Sequence, residues 1–262
     1  MPPFEMFNRQ KVCRYGQTLY NKNDTYIGRS LDLYGEYSEG EVELFRQVIQ
    51  PGNIVIEVGA NIGAHTLFIA QQVGRSGVVI AFEPQRILFQ TLCANLALNS
   101  VPNVYTLQQA VGAKAGSVVI PAIDYTQENN FGGLSLGKYE NGEGVPLATL
   151  DGFNFPACTF LKIDVEGMEL DVLQGADRLI RQFRPVIYLE NDRPDKSAAL
   201  IRHLDALGYK LYWHRPPYFN PGNFLGNPEN VFGNVVSLNM VCIHSTTPHQ
   251  LNGLAPVEVP AG

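Results

Sequence analysis

Five short runs constrain this chain more than any other feature: IVIEVG (54–59), VVIAFEP (78–84), VYTLQQAV (104–111), TFLKID (159–164) and PVIYLEN (185–191). They are rich in β-branched and aliphatic residues, and most show no polar alternation, as expected of strands buried on both faces. Helix-length stretches separate most of them. ANIGAHTLFIAQQVG (60–74) closes on Gly74, QRILFQTLCANLALN (85–99) ends in Asn99, and GMELDVLQGADRLIRQF (167–183) carries a break at Gly175. SAALIRHLDALG (197–208) follows the fifth run. Strands alternating with helices predict a doubly wound α/β sheet. Two more strands, YKLYWH (209–214) and VVSLNMVCIH (235–244), have no usable helix between them. A parallel return needs a crossover of about a dozen residues, usually a helix. The last strand is therefore expected to insert antiparallel. GSVVIPAI (116–123) is expected at an edge or before an insertion.

Around this core, residues 1–50 read as an N-terminal extension or lid, 51–245 as the main domain and 246–262 as a loose, Pro-containing tail. VCRYG and QTLYN suggest a small hairpin. YGEYSEGEVELFRQVI (34–49) reads as a helix start, with Ser38 and Glu41 spaced as a capping box. The polar, Gly-rich stretch 124–146 is a long loop of the kind that forms lids or substrate walls. The formal charge is −6, with no run of Lys and Arg, which disfavours nucleic acid as a partner. No apolar run approaches the ~20 residues of a membrane span. The N-terminus lacks a signal-peptide apolar core. Cys13, Cys93, Cys158 and Cys242 are scattered without a C-x-x-C, which suits reduced thiols and a cytoplasmic location. Nothing in the sequence fixes an oligomeric state.

Ligands of such sheets bind beyond the carboxyl ends of the strands. The first strand-to-helix turn, EVGANIGAHT, spaces Gly59, Asn61 and Gly63 as G-x-N-x-G, with Glu57 two residues ahead. Glu83 ends the second strand, where a carboxylate can accept the hydroxyls of a ribose. A diphosphate at this turn would be repelled by Glu57. A cofactor with an amino-acid tail and a cationic sulfonium would not be, so S-adenosylmethionine fits better than a nicotinamide dinucleotide. An NAD-dependent oxidoreductase, or a binding module without turnover, is the alternative.

VIEVGANIGAHTLFIA, VIAFEP, QQAVG, TLDGF and FLKIDVEGMELDVLQGA, over roughly residues 50–190, resemble the FkbM family of S-adenosylmethionine-dependent methyltransferases. That resemblance implies a class I, Rossmann-like methyltransferase fold of seven strands with the last antiparallel. It also implies O-methylation of a hydroxyl on a sugar or small natural product. It implies cofactor contacts at Glu57, Gly59, Asn61, Gly63 and Thr66, ribose on Glu83, adenine near Gln109, and Asp164 at the methyl end. Residues 1–33, 124–146 and 214–235 match nothing in the family pattern.

Methyl transfer to an alcohol needs a base that takes the hydroxyl proton. Asp164 and Glu190 end neighbouring strands and are the catalytic candidates. With Asp192 they could also hold one hard cation, although no spacing demands it. N-methylation is the alternative within the same class. Glu166 is a candidate for the shell behind the site. Glu169 is expected to favour a helix N-terminus, and Asp171 to face solvent. By alternation Lys162 shares a face with Asp164, and a charge-pair role orienting the carboxylates is expected. His65 is either a substrate contact or a polar helix start. His214 ends the sixth strand, and the aromatics around it, Trp213, Tyr218, Phe219 and Phe224, could stack on a sugar or apolar substrate or pack a wide loop. YGEYSE (34–39) could close over the cofactor, with Tyr34 or Glu36 as contacts, or simply lead into the helix.

Overall fold

The computed structural model describes residues 6–135, 139–247, 251 and 253–260. Its main sheet is laid down in chain order by Ile54–Val58 (β3), Val78–Phe82 (β4), Val104–Leu107 (β5), Phe160–Ile163 (β9), Val186–Glu190 (β10), Tyr209–His214 (β11), Asn239–His244 (β12) and Ala255–Pro256 (β13). The spatial order is β13-β11-β12-β10-β9-β3-β4-β5. β3, β4, β5, β9 and β10 run parallel, while β12 lies antiparallel between β10 and β11. The expected antiparallel insertion is therefore present. The tail is not wholly loose, because β13 pairs with Tyr212 and Trp213 at the sheet edge. Some of the tail, and Leu136–Lys138 of the long loop, lie outside the described residues.

Two layers of helices sandwich the sheet. Glu39–Val48 (α2), Ala64–Val73 (α3) and Arg86–Leu98 (α4) cover one face. Glu169–Gln174 (α5), Asp177–Phe183 (α6) and Pro194–Ala206 (α7) cover the other. Strand alternation sorts the side chains: Val55 and Phe160 pack towards α2 and α3, while Ile56, Val58, Leu161 and Ile163 pack towards α5 to α7. Fully burying each such aliphatic side chain contributes about 1.5–3 kcal/mol, which is why these strands carry no polar alternation. Glu57 and Lys162 interrupt the apolar pattern on the α2/α3 side, and that interruption marks the site.

The N-terminal hairpin is Asn8–Cys13 (β1) and Gly16–Asn21 (β2). A short helix, Ile27–Tyr34 (α1), was not legible in the mixed composition of residues 1–33; it closes on Gly35 in the left-handed region (φ 66°). The strand expected at 116–123 is Gly116–Ile120 (β7), and it belongs to a separate three-stranded sheet with Ala110–Val111 (β6) and Glu143–Ala148 (β8). β8 falls in part of the sequence read as loop, where Gly144 and Pro146 mask it. The capping box at Ser38 takes a different form. Ser38 has φ 46°, and its hydroxyl donates to the Glu41 carboxylate at 2.8 Å rather than accepting from the helix backbone.

Candidate active site

A cleft open to solvent runs across the carboxyl ends of β4, β3, β9 and β10 to the start of β12. Glu83, Asn61, Gly59 and Glu57 line its first half; Asp164, Glu166, Glu190 and Asn239 line the second.

The turn after β3 explains the first half. Gly59 sits at φ 85°, and a Cβ there would overlap the Asp164 carbonyl oxygen, so the turn can pass so close to β9 only as glycine. Asn61 is also left-handed (φ 51°) and donates its backbone N–H to Glu83 at 2.8 Å. Gln85 donates its N–H to the other Glu83 oxygen at 2.9 Å. Glu83 is only 4% exposed, and burial pushes its carboxyl up to about 7 against the lowering effect of those two N–H groups. A carboxylate has about four acceptor positions; two face the backbone, and two remain for hydroxyl donors. A ribose diol therefore fits this carboxylate. Glu57, 1% exposed, accepts from the Thr66 hydroxyl at 2.6 Å and lies 3.6 Å from Lys162 Nζ. Burial raises its pKa, and Lys162 and Thr66 oppose the rise.

Several expected contacts sit elsewhere. Thr66 is buried behind Glu57 and does not line the cleft, because its hydroxyl is spent on that carboxylate. Gly63 is the left-handed residue that opens α3, tight against Leu92, and is not on the cleft wall. Gln109 follows β5, off the lining, with its amide oxygen buried and unpartnered. Tyr34 and Glu36 do not line the cleft. Tyr34 is buried and donates to the Glu229 carbonyl, and Glu36 accepts from Arg14, Asn220 and the Phe224 N–H. His214 bonds the Tyr188 hydroxyl, and burial pushes its imidazole down to about 4.

In the second half, Asp164 and Glu190 come together as expected. Carboxylate oxygens of Asp164, Glu166 and Glu190 all lie within 4.8 Å of one another. Oxygen donors of this kind suit a hard cation. Asp192 is not part of that group; it pairs with Arg193 at 3.3 Å. The triad already carries countercharges, since Arg193 reaches Glu166 at 2.6 Å and Lys162 reaches Asp164 at 3.3 Å. One Glu190 oxygen is buried without a partner. Burial, then Asp164 and Glu166, hold the Glu190 carboxyl far above the ordinary range. The Asp164 side chain is 43% exposed, the accessible acid of the pair. Glu166, at φ 55°, is pushed up to about 7 by burial and Asp164. Glu169 is buried and accepts the Gly167 N–H at 2.9 Å, folding back over the turn that presents Asp164. Asp171 is exposed, as expected.

The outer wall comes from residues the sequence did not single out. Tyr37 and Glu41 precede and begin α2, and Ser237 and Asn239 flank the start of β12. Ser237 and Ser38 both donate to Glu41, at 2.9 and 2.8 Å. Tyr218 does line the cleft, edge-on to Tyr26 and Tyr37. His65 also lines it; burial drives its imidazole well below the usual value, so the ring is neutral, and Nε2 has no partner. Asn130, Gly132 and Gly133 of the long loop close the opposite side.

Sheet order and cleft together define a class I methyltransferase fold. An S-adenosylmethionine-dependent O-methyltransferase from Thermotoga maritima is similar in structure, with a TM-score of 0.50 at 12% identity over 92% of this chain and 79% of that one. The chain belongs to the FkbM methyltransferase family: the model of the methyltransferase FkbM domain matches residues 57–211. Its relatives include Methyltransferase 1 of Beauveria bassiana, 28% identical over 147 residues, covering 48% of this chain and 59% of the relative. Another is the hexuronic acid methyltransferase AglP of Haloferax volcanii, 26% identical over 165 residues, covering 62% and 64%. The matches thus span under two thirds of these relatives' length. Among the described residues, no helix is long and apolar enough to cross a membrane.

Proposed function

We propose that the protein is an S-adenosylmethionine-dependent methyltransferase that methylates a hydroxyl of a small molecule. The observation that carries this is Glu83: a carboxylate 4% exposed just after β4 that lines the cleft with Gly59 and Glu57 and spends only two of its acceptor positions on the backbone. When bound, the cofactor supplies a methyl group on a sulfonium that leaves as a neutral sulfide. Glu83 accepts the ribose hydroxyls. Glu57 lends negative charge to the amino-acid end. Asp164, at the junction of the two halves, takes the acceptor's hydroxyl proton. Glu190 carries a proton in the free protein and donates a hydrogen bond to the acceptor. The tyrosine wall orients the acceptor and limits water. A sugar is the favoured acceptor, because the acceptor half is lined by polar groups and one relative is named a hexuronic acid methyltransferase. The acidic lining favours a second reading, N-methylation of a cationic amine. The four unpaired cysteines accord with a cytoplasmic setting.

Calorimetric titration with S-adenosylmethionine, S-adenosylhomocysteine and NAD tests the reading. Binding of the two adenosyl ligands without NAD is expected; binding of NAD alone would overturn it. Turnover against paired sugar and amine acceptors then separates O- from N-methylation. A chelator arm reads the carboxylate triad: loss of turnover restored by Mg²⁺ would place a cation there.

A further inference from the structure

At the centre of the sheet lies a cation that the proposed reaction does not use. Lys162 is 2% exposed on β9, register partner of Glu57 on one side and Tyr188 on the other. Its ammonium lies 3.3 Å from Asp164 and 3.6 Å from Glu57. Glu41, buried at the start of α2, lines the same cleft and adds its negative charge from farther off. Two carboxylates thus pair with one buried positive charge, and a third lies near it. A lysine taken out of water costs several kcal/mol unless it is paired, so the position is not explained by packing.

We infer that Lys162 is a positioning residue that sets the electrostatic field at the methyl end of the cleft, acting through Glu57, Asp164 and Glu41. The inference rests on the proposed methyltransferase function. With Lys162 present, the three carboxylates and the ammonium have a formal charge of −2 when all are ionised, a sign that favours a cationic sulfonium. Without it, the excess grows by one unit or the group takes up a proton. The carboxyls of Glu41 and Glu57 are already raised by burial and held down by Lys162, so they are where that proton goes. The other titratable groups near Lys162 are Tyr37 ahead of α2, His65 of α3, Glu83 after β4, Glu166 after β9, Tyr188 and Glu190 of β10, and Tyr218 of the β11–β12 loop. His65 is held neutral by burial and by the lysine's own charge.

Two ligands read the field directly. S-adenosylmethionine and S-adenosylhomocysteine share the ribose and amino-acid ends and differ by the methyl and its positive charge. The ratio Kd(homocysteine form)/Kd(methionine form), measured by calorimetry from pH 6 to 8.5 and divided by the wild-type ratio, cancels Glu83 and Glu166. In Lys162→Met this quotient is expected to rise with pH and to reach at least about tenfold at the alkaline end, since at an effective dielectric near 20 tenfold corresponds to one uncompensated charge about 12 Å away and a nearer charge gives more. The free variant should also gain a carboxyl titration step by NMR that the wild type lacks. Lys162→Arg should keep the quotient near one, and Glu41→Gln should lower it. A quotient of one at every pH in Lys162→Met overturns the inference, even if both affinities fall together, because a purely structural role weakens both ligands alike. Should Lys162→Met fail to fold, Glu41→Gln decides, and an unchanged quotient there also overturns it. Failure of the wild type to bind either ligand refutes the methyltransferase reading itself, a different result from a flat quotient.

Discussion

Removing the Glu83 carboxylate is the sharpest test of the cofactor half. Its two oxygens accept the N–H groups of Asn61 and Gln85 at 2.8 and 2.9 Å, leaving two acceptor positions towards the cleft. A hydrogen bond to a charged group contributes about 1.5–3 kcal/mol. Losing two ribose bonds therefore costs about 3 kcal/mol at the low end, or roughly two orders of magnitude in Kd. Glu83→Ala, titrated calorimetrically with S-adenosylhomocysteine, should show that loss. The variant also strands two buried N–H groups, at about 1–3 kcal/mol each, so its melting temperature has to be followed in parallel. A 2′-deoxy analogue of the ligand separates the two effects. It should bind wild type about tenfold more weakly than the parent and bind Glu83→Ala no differently from the parent. The pH dependence carries its own sign. Burial raises the free carboxyl to about 7. Ribose hydroxyls donate to the ionised form, so the bound pKa is lower and binding expels a proton. Affinity should rise with pH up to about 7 and level off above it, and the slope should vanish in Glu83→Ala. An affinity within about threefold of wild type, or a slope of the opposite sign, would refute the assignment.

Asp164 and Glu190 should respond differently to amide substitution. Glu190→Gln copies a protonated acid and should keep turnover within about tenfold, whereas Asp164→Asn should lose about 10²–10⁴-fold in kcat with a smaller change in cofactor Kd; equal losses would remove the distinction. Gly59→Ala forces a side chain into the left-handed region and onto the Asp164 carbonyl, and should lower stability by more than about 2 kcal/mol in a denaturant titration. An unchanged midpoint would contradict the close approach of β3 and β9. Thr66→Val removes the 2.6 Å bond to Glu57 and should cost about 1–3 kcal/mol of stability together with cofactor affinity, although Thr66 is not on the cleft wall. Unchanged affinity would restrict Thr66 to a structural role.

What was legible in the sequence follows the periodicity of the core. The buried strands announce themselves by unbroken aliphatic runs, and their carboxyl ends place Glu57, Glu83, Asp164 and Glu190 on one rim. The antiparallel β12 followed from a missing helix. The outer cleft wall was less legible because Tyr37, Glu41, Ser237 and Asn239 come from turns, a helix start and a strand start with no period to read. Ser38 shows the limit of a motif: its spacing from Glu41 fits a capping box, yet the pair forms a side-chain bridge that Ser237 joins from 196 residues away. Thr66 shows another, since the family resemblance implies a cofactor contact there while its hydroxyl is given to the Glu57 carboxylate.

The Glu36 carboxylate, buried and bonded by Arg14, Asn220 and the Phe224 N–H, ties the N-terminal hairpin to the β11–β12 loop. Neither segment belongs to the stretch matched by the family domain. Tyr37, Glu41 and Ser237 of the outer cleft wall therefore all lie outside the matched stretch. For engineering, residues 1–50 and 215–238 should be exchanged between homologues as one cassette. Swapping either half alone leaves Glu36 or its partners without a match and uncouples the wall from the machine it serves.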